Sequence, residues 1–73
     1  SYKSLIIEWC QKKKIKLNFD CTEDQTAEKN KHFTACLKID NKIIARARST
    51  SRKKAEEKAA QRAYFALQNK IKS

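Results

Sequence analysis

Arg52, Lys53 and Lys54 follow one another at the start of a helical stretch, directly after Ser49, Thr50 and Ser51. That is the wrong end of a helix for cations. Aligned peptide dipoles put partial positive charge there and favour Asp or Glu, and each misplaced cation costs roughly 0.3 to 1 kcal/mol at low salt. Lys58 and Arg62 continue from Lys54 at i+4 and i+8, where like charges repel again. Glu56 and Glu57 offset this only in part. A bound anion resolves the conflict, because free backbone N–H groups and three cations together make a phosphate site. A solvated lysine-rich face is the bland alternative, and the dipole conflict favours the phosphate site.

A second constellation is polar without being cationic. Ser4, Glu8 and Gln11 recur on one side of a helical segment. Such groups suit ribose hydroxyls or base edges in a shallow groove; an ordinary solvent-facing helix side fits them as well. Ile7 lies on the same side and interrupts its polarity.

Other chemistry is scarce. With no Gly, the chain has no glycine-rich phosphate loop. A single His, His32, makes a triad or a His-based metal site improbable, so no catalytic and no metal-binding residues are assigned. Cys10, Cys21 and Cys36 form no C-x-x-C pair, which argues against zinc. An odd set of separated thiols fits a reduced compartment, and a cytoplasmic location is expected.

Eighteen Lys and Arg against eight Asp and Glu give a formal net charge of +10 over 73 residues. That excess implies a polyanionic partner, nucleic acid first and an anionic membrane surface second. The apolar residues are periodic, which argues for folding despite the charge. No run of about 18 apolar residues is present, so no membrane span is expected. The first residues carry no signal-peptide pattern, and the absence of an initiator Met suggests a piece excised from a longer protein.

The elements that position these residues can be read from periodicity. Residues 2–15 are helical, with Leu5, Ile6, Trp9, Cys10 and Lys13 on one stripe. Leu17, Phe19 and Cys21 alternate with polar residues and read as a half-buried strand. Residues 22–31 hold no apolar residue larger than Ala and read as a loop. Phe33, Ala35, Leu37 and Ile39 form the clearest strand. Asp40-Asn41 is a tight turn. A third strand puts Ile43, Ala45 and Ala47 on one face and Ile44, Arg46 and Arg48 on the other. From residue 52 to about residue 69 the chain is helical, capped from the Ser49-Thr50-Ser51 run. Its stripe is Ala55, Ala59, Ala60, Ala63, Ala66 and Leu67, narrow enough for close approach to a sheet. The expected fold is α+β, α-β-β-β-α: one domain over residues 1–73, a three-stranded antiparallel sheet with both helices on one face. Trp9, Phe19 and Tyr64 are assigned to the core. Phe65 falls off the stripe, and a contact with a second domain or subunit is one explanation.

The same residues carry a resemblance. Residues 51–67, S-R-K-K-A-E-E-K-A-A-Q-R-A-Y-F-A-L, are similar to the S-K-K-x-A-(K/E)-x-x-A-A-x-x-A-L stretch of double-stranded RNA-binding domains. Residues 2–11, Y-K-S-L-I-I-E-W-C-Q, resemble that family's opening helix. The Tyr2-Lys3-Ser4 start and the Ala55-Glu56 pair look most like the carboxy-terminal domain of bacterial ribonuclease III. The resemblance implies duplex RNA contacts at Ser4, Glu8 and Gln11 in one minor groove, and at Arg52, Lys53, Lys54 and Lys58 on phosphates. In the family, the loop between strands 1 and 2 enters a second minor groove through a G-P-x-H motif. Here Lys29 stands at the His position, and His32 adjoins the same loop. A polar contact common in ribonuclease III falls on Ile7, and glycines common before the second helix appear as Ala47 and Ser49.

Three functions fit this sequence: the substrate-binding domain of a ribonuclease III, a non-catalytic duplex RNA-binding protein, and a protein-interaction domain on the same fold. The cluster Arg52, Lys53 and Lys54 argues against the last. The parent of the first would cleave duplex RNA with Mg²⁺ bound in a separate domain, and a homodimer through a domain other than this one is one option for it; the 73 residues themselves are expected to hydrolyse nothing. The expected partner is double-stranded RNA, not a membrane.

Overall fold

Ser51 starts the longest helix with its side chain. Its backbone is extended (φ −138°, ψ 155°), and its hydroxyl accepts the Lys54 N–H at 3.1 Å. In the computed structural model, which describes residues 1–24 and 31–72, that helix is the last of the two long ones. The chain order is α1 (Tyr2–Lys13), β1 (Leu17–Asp24), β2 (His32–Ile39), β3 (Lys42–Ser49), α2 (Arg52–Ala66) and a short α3 (Gln68–Ile71). The sheet is antiparallel in the order β1-β2-β3. No described helix is long and apolar enough to cross a membrane.

Ala55, Ala59, Ala60 and Ala63 of α2 are fully buried. They fall on one face, and their methyl side chains let the helix lie close to the strands. Opposite them stand two rows across the sheet, Phe19–Leu37–Ala45 and Cys21–Ala35–Ala47. Ala35 and Leu37 are completely buried. The small residues fall on β3, the strand over which α2 packs most extensively.

α1 packs chiefly on α2 rather than on the sheet. Only Ile6 and Cys10 of α1 are fully buried, and Leu5, expected on the apolar stripe, is 46% exposed. A helix resting on another helix covers a narrow seam, so the residues flanking that seam stay open. Burial pushes the Cys10 thiol above its ordinary pKa, with Asp40 adding to the shift. Cys10 is a packed core side chain.

The described residues depart from strict periodicity in further places. α1 stops at Lys13, two residues early, because Lys14 turns left-handed (φ 57°). The Ile15 N–H then reaches the Cys10 carbonyl at 2.8 Å, and Lys14 that of Gln11 at 3.2 Å, which closes the helix end. β1 runs on to Asp24, into the polar segment expected to be loop. In β3, Leu37 pairs with Ala45 but Lys38 with Ile43, so Ile44 is an inserted bulge residue. Ile44 thereby packs on the core while Ile43 is 47% exposed, the reverse of simple alternation. Helix α2 ends at Ala66, and α3 brings Ile71 back against the core. The β2–β3 turn uses Asp40 and Asn41 with φ 51° and 68°, the two positive values that a two-residue hairpin turn demands.

The close seat of α2 gives a direct test. Ala59→Leu adds three carbons where the helix meets the sheet and is expected to cost about 1–3 kcal/mol in urea unfolding. An unchanged midpoint would show that α2 does not lie as close as its alanines indicate.

Candidate nucleic-acid interface

The interface follows from where the carboxylates go. Asp20 binds Lys38 at 2.6 Å across β1 and β2, Asp24 pairs with Arg48, and Glu23 lies 3.7 Å from Lys31. The hydrogen bond from Lys38 to Asp20 raises the Lys38 pKa. These pairs neutralise much of the sheet's strand charge internally. Glu56 and Glu57, which sequence places among the cations of α2, contact α1 instead. Glu56 binds the Lys3 ammonium at 2.5 Å, and Glu57 accepts the N–H groups of Tyr2 at 2.8 Å and Lys3 at 3.2 Å. Their neutralising effect on the α2 cations is therefore smaller than spacing alone suggests.

Arg52, Lys53, Lys54 and Lys58 are all exposed, and none has a carboxylate partner among the described residues. The first turn of α2 contains no acid to meet its dipole. Of its first N–H groups, Lys54 is capped by Ser51, while Arg52 and Lys53 have no acceptor among the described residues. The turn thus presents two open N–H donors and three cations together, an arrangement suited to phosphate oxygens. Arg62 does not extend this row, because its guanidinium donates to the Arg46 carbonyl at 2.6 Å and is tied to β3.

Ser4, Glu8 and Gln11 are exposed along one side of α1. The Ser4 hydroxyl accepts from the Ser1 hydroxyl at 3.0 Å. Ile7 lies on this side beside Gln11 but is partly withdrawn from solvent. It is half-buried and lines a cleft with Gln11, Leu17 and Phe19 at the boundary between α1 and β1. His32 is the first residue of β2, half-buried, and stands opposite Asp24. Lys29 lies outside the described residues. Tyr2, Tyr64 and Phe65 form an aromatic cluster with ring centres 5.4 to 5.8 Å apart, and Phe65 is 53% exposed as its position off the stripe indicated. Sequence reasoning did not find the contacts from Lys3, Glu56 and Glu57. Their only trace was an α1 with no acid in its first turn and two adjacent acids in α2.

Comparison with known proteins agrees with the fold. The family model described as double-stranded RNA binding motif matches residues 2–67. The chain belongs to that family: it is a double-stranded RNA-binding domain. Ribonuclease 3 of Zunongwangia profunda is 61% identical over 71 residues, covering 97% of this chain and 29% of that protein. Ribonuclease 3 of Flavobacterium psychrophilum is 55% identical over the same coverage of each. The chain therefore spans less than a third of the curated relatives it matches. The solution structure of the DRB4 dsRBD2 superposes with a TM-score of 0.72 at 23% identity, over 94% of this chain and 97% of that one, a likeness of fold.

Lys53 separates a binding role from a structural one. Lys53→Ala removes a cation facing the dipole, a relief of roughly 0.3 to 1 kcal/mol, and introduces the best helix former. The melting temperature of the free domain is expected to stay level or rise slightly. A clear fall would show that Lys53 supports the fold.

Proposed function

We propose that this domain grips duplex RNA by shape and serves as the substrate-binding part of a ribonuclease III. The observation that carries the proposal is the first turn of α2, where among the described residues Arg52, Lys53 and Lys54 have no carboxylate partner and two N–H groups have no acceptor. A-form RNA has a deep, narrow major groove that side chains do not read and a wide minor groove that displays 2′-hydroxyls. Arg52, Lys53, Lys54 and Lys58 meet phosphates bordering the major groove. Ser4, Glu8 and Gln11 meet hydroxyls in the minor groove. Lys29, from the β1–β2 connection, and His32, at the start of β2, contribute as well. Phosphate and sugar contacts carry little sequence information, so binding is weakly sequence-selective.

Cleavage belongs elsewhere in the parent. Among the described residues no group of three or more His, Cys, Asp or Glu can hold a metal ion. Most described carboxylates are engaged in internal pairs. Metal-assisted hydrolysis with Mg²⁺, and a homodimer formed through another region, are assigned to the remaining length that the Ribonuclease 3 relatives possess. A cytoplasmic setting accords with that role.

Competition between an RNA duplex and a DNA duplex of the same sequence tests the proposal. RNA is expected to win clearly, because the α1 face depends on 2′-hydroxyls. Equal affinity would mean that binding is electrostatic attraction alone.

A further inference from the structure

The start of α1 is held by α2. A helix leaves its first N–H groups without intrahelical acceptors. In α1 the Ser4 N–H goes to the Ser1 hydroxyl at 3.2 Å, and the Tyr2 and Lys3 N–H groups both go to the Glu57 carboxylate. The first turn of α1 has no acid of its own, so the anion that meets its dipole comes from the other helix. Lys3 adds a second tie. Its ammonium binds Glu56, whose side chain is only 15% exposed, and lies 5.2 Å from the centre of the Phe19 ring. One lysine of α1 thereby touches both α2 and β1.

These ties lie between the two surfaces assigned to RNA. Ser4 immediately follows Lys3. Arg52, Lys53 and Lys54 precede Glu57 by about one turn of the same helix. Ile6 and Cys10 anchor the middle of α1, and the Tyr2 ring packs on Tyr64 and Phe65, so the polar ties of Glu57 and Lys3 act beside one aromatic contact in placing the first turn. A binder that touches hydroxyls at one point and phosphates at another needs a spacing matched to one duplex geometry.

We propose that Glu57, supported by the Lys3–Glu56 pair, is a positioning device: it fixes the Ser4 end of α1 relative to the α2 cations and so contributes to selecting A-form RNA over B-form DNA. This rests on duplex RNA being the ligand. If α1 shifts, the hydroxyl contacts are lost, while the phosphate contacts of α2, which do not distinguish the two duplexes, persist.

The test is to measure RNA-duplex and DNA-duplex affinities for the 73-residue chain, for Glu57→Ala and for Glu57→Gln. The sign is decisive. Removing a carboxylate raises the net charge, and electrostatics alone would tighten binding to both duplexes. The positioning role predicts that Glu57→Ala weakens RNA binding about five- to tenfold, leaves DNA binding level or tighter, and shrinks the RNA preference. Glu57→Gln retains one acceptor for the α1 N–H groups and is expected to lose less. Hydrogen exchange at Tyr2 and Lys3 should speed up in both variants while the amides of Ala59 and Ala60 stay protected, which shows the core intact. If Glu57→Ala does not fold, Glu57→Gln carries the comparison. Unchanged or tighter RNA binding with undiminished preference overturns the positioning role and leaves RNA binding standing. Equal RNA and DNA affinity in the unsubstituted chain overturns the RNA reading, and the positioning role falls with it.

Discussion

The structure depends on the seat of α2 upon the sheet. Ala55, Ala59, Ala60 and Ala63 bring the helix down onto Ala35, Leu37 and Ala47 with no side chain larger than a methyl on the helical side. So small a domain buries only about 60% of the area its unfolded chain exposes, and close packing makes the most of a thin core. Everything functional is referred to this helix. Its first turn carries the cations, its second turn holds the start of α1, and its far end meets Tyr2 through Tyr64 and Phe65. A change in its height above the sheet would displace both candidate RNA surfaces together.

Charge distribution follows the same logic. Most carboxylates of the described chain are drawn into contacts between elements: β1 to β2 through Asp20 and Lys38, β1 to β3 through Asp24 and Arg48, α2 to α1 through Glu56 and Glu57. Exposed surface pairs of this kind contribute little stability individually, about 0 to 1 kcal/mol. Their larger consequence is to leave the first turn of α2 without internal neutralisation. The two helix starts are thus opposites: α1 receives a carboxylate from within the fold, while the first turn of α2 is cationic and meets no acid among the described residues.

Much of this was legible in the sequence because it rests on local rules. The period switches at Leu17 and again at Arg52 located the elements, and the dipole conflict at Arg52, Lys53 and Lys54 singled out the exposed cationic first turn of α2. What periodicity missed has a non-local cause. The bulge at Ile44 depends on strand register, and the exposure of Leu5 depends on α1 packing against a helix rather than a sheet. Glu56 and Glu57 read as neighbours of the α2 cations, because sequence shows the charges nearby along the helix and not the helix end that packs across from it. Ile7 looked out of place on a polar face for the same reason, since only the third dimension puts it in the cleft beside β1.

In the proposed binding mode two helical surfaces, and not the outer face of the sheet, meet one RNA duplex. Backbone amide chemical shifts followed during titration with an RNA duplex test it most directly. Shifts are expected at Ser4, Glu8 and Gln11 on α1 and at Arg52, Lys53 and Lys54 on α2, while Asn18, Asp20 and Lys38 on the outer face stay still. Shifts concentrated on those three sheet residues, with both helix surfaces silent, would contradict the account.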